Sequence, residues 1–137
     1  MQDVEVLQAP GQTAVLLHPE RMRILDELKE AGSASGIARK MELPRQQVNY
    51  HLRELEKAGL VEFLEERKRG NCLERVVQAT ARSYIVSPEA LGPLYDDEPP
   101  KDRFSVAYLL SLAARCIREL GILRLRAREA GKRLATL

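Results

Sequence analysis

Tryptophan is absent from this chain, and the only aromatic side chains besides histidine are four tyrosines and two phenylalanines. A stacking platform for single-stranded nucleic acid needs several exposed rings, so the composition argues against that class. Cysteine occurs only at Cys72 and Cys116. These are too far apart for a metal or disulfide framework, and two free thiols fit a reducing cytoplasm. No long hydrophobic run is present. The longest apolar stretch, Phe104 to Ala114, is too short to span a bilayer and is followed by Arg115 and Arg118. The opening MQDVEVLQAP is acidic and has no apolar centre, unlike a signal peptide. No membrane partner is expected. A large charge of one sign is lacking too: Lys and Arg number 22, Asp and Glu 20, for a net +2. Binding to a polyanion therefore requires a local basic patch rather than a global excess. There is no Gly-rich phosphate loop, nucleophile elbow or HExxH, so neither an enzyme nor a bound cofactor is expected.

The 137 residues are about 45% hydrophobic and 31% charged, which is globular composition. Four segments emerge: an arm over residues 1–13, a folded domain over 14–92, a linker over 93–102 and a helix over 103–137. The arm and its continuation to residue 17 read as a short extended piece or a frayed helix. A first helix is expected from Pro19 to Ala31, with Met22, Leu25 and Leu28 on one face, ended by Gly32. Ser33 can cap a second helix reaching about Met41. Glu42 and Leu43 form a short turn, and Pro44 opens a third helix that stops near Ala58 at Gly59. Strand-like stretches follow at Leu60 to Glu65 and, within Cys72 to Val86, at CLERVV and RSYIV. Between them Arg67, Lys68, Arg69, Gly70 and Asn71 form a charged turn, as in a β-hairpin. A short helix over Pro88 to Leu94 and the polar, proline-rich PLYDDEPPK precede one long helix from Arg103 to about Ala130.

The third helix carries the functional signal. Val48, Leu52 and Leu55 recur at i, i+4, i+7 and should face the core. Gln46, Asn49, Tyr50 and Arg53 recur on another face and offer groups that hydrogen-bond base edges and phosphates. Such a face is by itself as consistent with a merely solvated helix. The order helix, helix, tight turn, helix, basic hairpin adds weight, because it places two candidate contacts beside one duplex. Arg67, Lys68 and Arg69 could then reach phosphates or the minor groove.

The string SASGIARKMELPRQQVNYHLRELEKAGLV resembles the helix-turn-helix of the ArsR-like winged-helix regulators. The matching residues are Ala38, Leu43, Val48, Tyr50-His51-Leu52, Leu55, Ala58, Gly59, Leu60 and Val61. The likeness extends into the wing and covers roughly residues 14–90. It implies an α+β winged helix-turn-helix domain followed by a long C-terminal dimerisation helix. It also implies a homodimeric transcriptional regulator, commonly a repressor, with the third helix in the major groove of double-stranded DNA. Arg45, Gln46, Gln47, Asn49, Tyr50 and Arg53 are the expected readers, and Arg67, Lys68 and Arg69 the backbone contacts. Two departures stand out: Glu42 where the turn often has glycine, and Asn49 in place of a small hydroxyl residue.

Metal sensing, well known among ArsR-like proteins, finds no support in the spacing. His18, His51, Cys72 and Cys116 are scattered, and the third helix has no paired cysteines. His51 falls on the core-facing side with Val48 and Leu55, as a packed structural histidine would.

On the long helix, Val106, Leu109, Ala113, Cys116, Leu120 and Leu123 recur at steps of three and four, a heptad-like seam suited to pairing with a second copy. Packing of the same helix against the first helix of its own chain is the alternative. From Arg103 to Arg133 there are eight Lys or Arg against two Glu, a basic tail for DNA backbone or a solvated side. The chain stops at Ala135-Thr136-Leu137, straight after this helix, as though a further segment once followed. Two rival functions stay open: a winged-helix protein-interaction module, and an effector-sensing regulator with a small-molecule pocket at the C-terminal helix.

Overall fold

The computed structural model describes residues 1–132; Arg133 of the basic tail and the terminal Ala-Thr-Leu lie outside the described residues. Alternating Val and acidic residues open the chain as strand β1 (Gln2–Leu7), followed by helix α1 (Pro10–Leu16). The N-terminal stretch thus contains both an extended piece and a helix. Pro19 starts α2 (Pro19–Glu27), with Glu20 in the first turn, where the helix dipole favours an acid.

This helix ends four residues before the expected Ala31. The reason is the sheet. The amide of Ala79 donates to the Leu28 carbonyl at 2.9 Å, and Gly32 and Ser33 pair as strand β2 (Gly32–Ser33) with Val77 and Val76. The chain after Leu28 is drawn into that pairing instead of another helical turn. Met22 is also displaced from the expected buried face. The stripe is Ile24, Leu25 and Leu28, and Met22 lies about a third of a turn from its centre, 45% exposed.

Ser33 then caps α3 (Ala34–Met41), accepting from the Gly36 amide at 3.3 Å. Glu42 terminates α3 in the left-handed region, at φ 56° and ψ 42°, the conformation glycine adopts at no cost. The Leu43 amide bonds back to Ala38 O at 3.0 Å, so the turn keeps its glycine-like geometry with a glutamate in place. Helix α4 (Arg45–Lys57) follows directly.

Strands β3 (Val61–Arg69) and β4 (Cys72–Ala79) form an antiparallel hairpin whose last pair is Arg69 with Cys72, leaving Gly70 and Asn71 as the loop. Gly70 has φ +60°, as a tight hairpin loop requires. The first sheet has the order β2-β4-β3. Strand β5 (Ala81–Val86) does not join it but pairs with β1 in a second sheet. A short 3₁₀ helix (Pro88–Leu94) and the long α5 (Val106–Glu129) complete the described chain, α5 being capped by Ser105, which accepts from the Tyr108 amide.

The chain separates into two units. The first comprises Met1–Glu5 with Gly11–Tyr84, the second Val6–Pro10 with Ile85 onward. In the first, Ile24, Leu28, Val48, Leu55 and Leu60 are fully buried. Each such side chain contributes about 1.5–3 kcal/mol by leaving water. Tyr84 ties the strand layer to α4's exit, since its hydroxyl donates to Leu60 O at 3.0 Å while Thr80's amide donates to the same carbonyl. In the second unit, Gly121 is the one buried residue of α5; an added Cβ there would lie 1.7 Å from Gln8 Nε2 and 2.9 Å from Val6 Cγ1. The fold is the α+β winged helix-turn-helix with a long C-terminal helix.

Candidate nucleic-acid interface

Helix α4 has one inward and two outward-facing rows. Val48, His51, Leu52 and Leu55 are buried. Gln46 and Tyr50, one turn apart, are exposed, as are Arg45 and Arg53. Arg45, Asn49 and Arg53 occupy successive turns and line a groove of about 240 Å³ shared with Ser35 of α3, Glu56 and Arg75. The groove's walls are thus α3, α4 and β4 of the hairpin. A helix with its core row packed and its opposite rows offering guanidinium, amide and phenol groups is suited to major-groove contact.

Gln47 departs from its expected companions. It is half-buried, and its Nε2 donates to Glu20 Oε2 at 2.7 Å. The same oxygen lies 2.7 Å from His51 Nε2. Arg21 Nε donates to His51 Nδ1 at 3.2 Å, so the neutral ring carries its proton on Nε2 and donates it to Glu20. The Gln47 donation, followed by that of His51, holds the Glu20 carboxyl below its ordinary range. Arg21 also lies over the Tyr50 ring, 5.9 Å from its centroid. His51 is therefore a packed, hydrogen-bonded histidine that pins α4 to the start of α2.

In the hairpin, Arg67, Lys68 and Arg69 lie in β3 rather than in the turn, all exposed. Strand alternation puts Arg67 and Arg69 on one face and Lys68 on the other. All three line a second groove of about 450 Å³, with Glu27, Glu30 and Lys40 among its other walls. The tip is basic, but Glu62, Glu65, Glu66 and Glu74 stand on the same hairpin, and Arg67 Nη2 pairs with Glu65 at 3.1 Å. Arg69 Nη1 likewise lies 4.0 Å from Glu74, so acidic neighbours offset part of the charge of the tip.

Residues 16–62 match the family profile of a helix-turn-helix domain. The chain carries a helix-turn-helix, the DNA-binding element of transcription regulators. Among solved structures, the chain is similar to NolR from Sinorhizobium fredii, 25% identical over 53% of this chain and 68% of that one, with a TM-score of 0.43. It is similar also to Rv0081 of M. tuberculosis, 22% identical over 83% of this chain and 89% of that one, with a TM-score of 0.41. No curated protein sequence matches the chain significantly.

Two pairs at this site escaped the sequence reading. Arg75 of β4 grips Glu56 of α4 with both terminal nitrogens, at 2.9 and 3.3 Å, and lies over Phe63, 5.0 Å from the ring centroid. The guanidinium pKa is raised, chiefly by the Glu56 hydrogen bond. This clamp sets the hairpin against the helix, and it joins residues 19 apart in sequence. The Glu20–His51 pair spans 31 residues. Neither separation leaves a periodic trace.

On α5, the heptad positions Val106, Leu109, Ala113, Cys116, Leu120 and Leu123 are all exposed. Val106 is 72% exposed and Leu109 59%. Both cysteines are free and exposed. Among the described residues no helix is long and apolar enough to cross a membrane.

Proposed function

We propose that this chain is a sequence-specific regulator that binds double-stranded DNA as a homodimer, commonly acting as a repressor, with α4 in the major groove and the hairpin tip on the backbone. The observation that carries the reading is α4 itself, whose apolar row is buried while Arg45, Gln46, Asn49, Tyr50 and Arg53 stand outward within a matched helix-turn-helix. Asn49 and Tyr50 read base edges, and Arg45 and Arg53 flank them on phosphates or guanine. Arg67 and Arg69 share a strand face and add sequence-independent attraction. Gln47 serves the fold, holding Glu20, more than it serves readout.

Dimerisation through α5 is the second part of the proposal. The exposed row of leucines exceeds the scattered apolar residues of an ordinary surface, and a second copy covers it with twofold symmetry that suits a palindromic site. The rival of a protein-docking winged helix needs an apolar patch on the domain's recognition side, whereas α4 offers amides and guanidinium groups. The effector-sensing rival can coexist with DNA binding and adds no contact of its own.

Fluorescence anisotropy of three variants tests the division of roles. Asn49→Ala and Tyr50→Ala should each weaken cognate binding by about 1–3 kcal/mol while leaving random DNA nearly unchanged. Arg69→Ala should weaken both and lower the salt slope by about one. Equal losses on cognate and random DNA for all three variants would overturn the assignment.

A further inference from the structure

The fold brings together ligand types that the sequence keeps apart. His18, Glu20 and His51 each offer one donor atom, and these atoms lie within 4.8 Å of one another. We propose that the three side chains bind a single divalent transition-metal ion of the zinc class, bridging the start of α2 to the middle of α4.

The donor set fits. Two imidazoles and one carboxylate, with water in the remaining position, make a tetrahedral site for zinc or its spectroscopic stand-in cobalt(II). The geometry needs small changes only. Ligand atoms at about 2.0–2.2 Å from a tetrahedral ion stand roughly 3.3 Å from each other. Glu20 Oε2 and His51 Nε2, now 2.7 Å apart around a shared proton, must separate slightly as the ion replaces that proton. His18 supplies the remaining movement. It is exposed, sits at the N-cap of α2 on extended backbone and makes no capping hydrogen bond. Its ring already lies against His51, with centroids 4.8 Å apart. The other two ligands are held in place, His51 by burial at 4% exposure and Glu20 by the first turn of α2 behind Pro19.

Metal binding has a consequence for α4. To present Nε2 as a lone pair, His51 carries its proton on Nδ1, where Arg21 Nε now donates. Two donors then face each other, and Arg21 must turn away, which also removes it from the Tyr50 ring. The ion competes with Gln47 for Glu20 Oε2. Occupancy therefore releases Arg21, which packs against the DNA-facing helix, and Gln47 of that helix itself. That last consequence rests on the DNA-binding reading; the site itself does not.

The test uses the untagged full chain and cobalt(II) as probe. Titration should give the visible absorption of tetrahedral cobalt(II), saturating at one ion per chain and bleached by zinc. His18→Ala, at an exposed position, should keep the far-UV circular dichroism of the parent and weaken cobalt binding at least tenfold, since even outer-shell partners of metal ligands are worth about 10–100-fold. Glu20→Gln should do likewise, and a Cys72→Ala/Cys116→Ala double variant should bind as the parent does. No cobalt spectrum in the parent, an unaltered affinity in His18→Ala, or loss of binding in the cysteine variant would each overturn the proposal. Anisotropy with and without zinc is read separately. Should cobalt bind while DNA binds in neither state, the metal site stands and the DNA-binding reading falls.

Discussion

Replacing Glu42 by glycine should stabilise the helix-turn-helix. Glu42 is the only non-glycine residue at positive φ among the described residues, at φ 56° and ψ 42°. An L-residue held there costs about 1–2 kcal/mol because Cβ crowds the following carbonyl. Glycine avoids that cost but loses more backbone freedom on folding, about 0.4–1 kcal/mol. The balance favours glycine by about 0.5–1 kcal/mol. The side chain is exposed, and the Leu43 amide bond to Ala38 O involves backbone alone, so the substitution removes no contact. A further contribution of a few tenths of a kcal/mol comes from removing a carboxylate beside the negative end of the α3 dipole. Glu42→Ala isolates that contribution, since alanine keeps the strain. Urea unfolding followed by circular dichroism is the assay. With a denaturant slope of about 2 kcal/mol/M, the glycine midpoint should rise by about 0.25–0.5 M and the alanine midpoint by much less. A glycine midpoint at or below the parent's, or equal gains for both variants, would refute the strain argument.

Leu55→Ala should cost about 2–5 kcal/mol in the same assay, because truncating a fully buried leucine of α4 leaves a cavity. Gln8→Leu should gain about 1 kcal/mol, since both side-chain amide atoms of Gln8 are buried without a hydrogen-bond partner. Gly121→Leu should lower the midpoint, because its Cβ alone would meet Gln8 and Val6 inside van der Waals contact. Leu109→Glu combined with Leu120→Glu should convert a dimer into a monomer by light scattering; a parent already monomeric at working concentration would remove α5 pairing from the proposal.

Much of the architecture was legible because it rests on local chemistry. Ser33, Pro44, Gly59 and the Gly70-Asn71 loop mark boundaries through capping, fixed φ and positive φ, and those boundaries appear in the structure. The inward row of α4 was legible through its period. What was missed depends on distant partners. The early end of α2 follows from Ala79 and Val77 reaching back to Leu28 and Gly32, which no local signal announces. The basic run Arg67 to Arg69 reads as a turn because charge suggests solvent, yet a hairpin projecting from the domain can carry charge along its whole strand. Gln47 fell among the outward readers because its neighbours are polar; only the placement of Glu20 shows which way its amide is drawn. His18 and His51 look unrelated at their separation in sequence, and the packing of α2 on α4 joins them.

Binding of the unmodified chain to DNA decides the matter. Anisotropy should be recorded at low and moderate salt, with a fragment of the protein's own promoter and a scrambled fragment of equal length. A regulator reading bases through α4 and phosphates through the hairpin should prefer the promoter clearly and lose affinity steeply as salt rises, with a log–log slope that grows with the number of phosphates contacted. Absence of binding to either fragment at low salt would contradict the proposal and leave a protein-docking role for the winged helix.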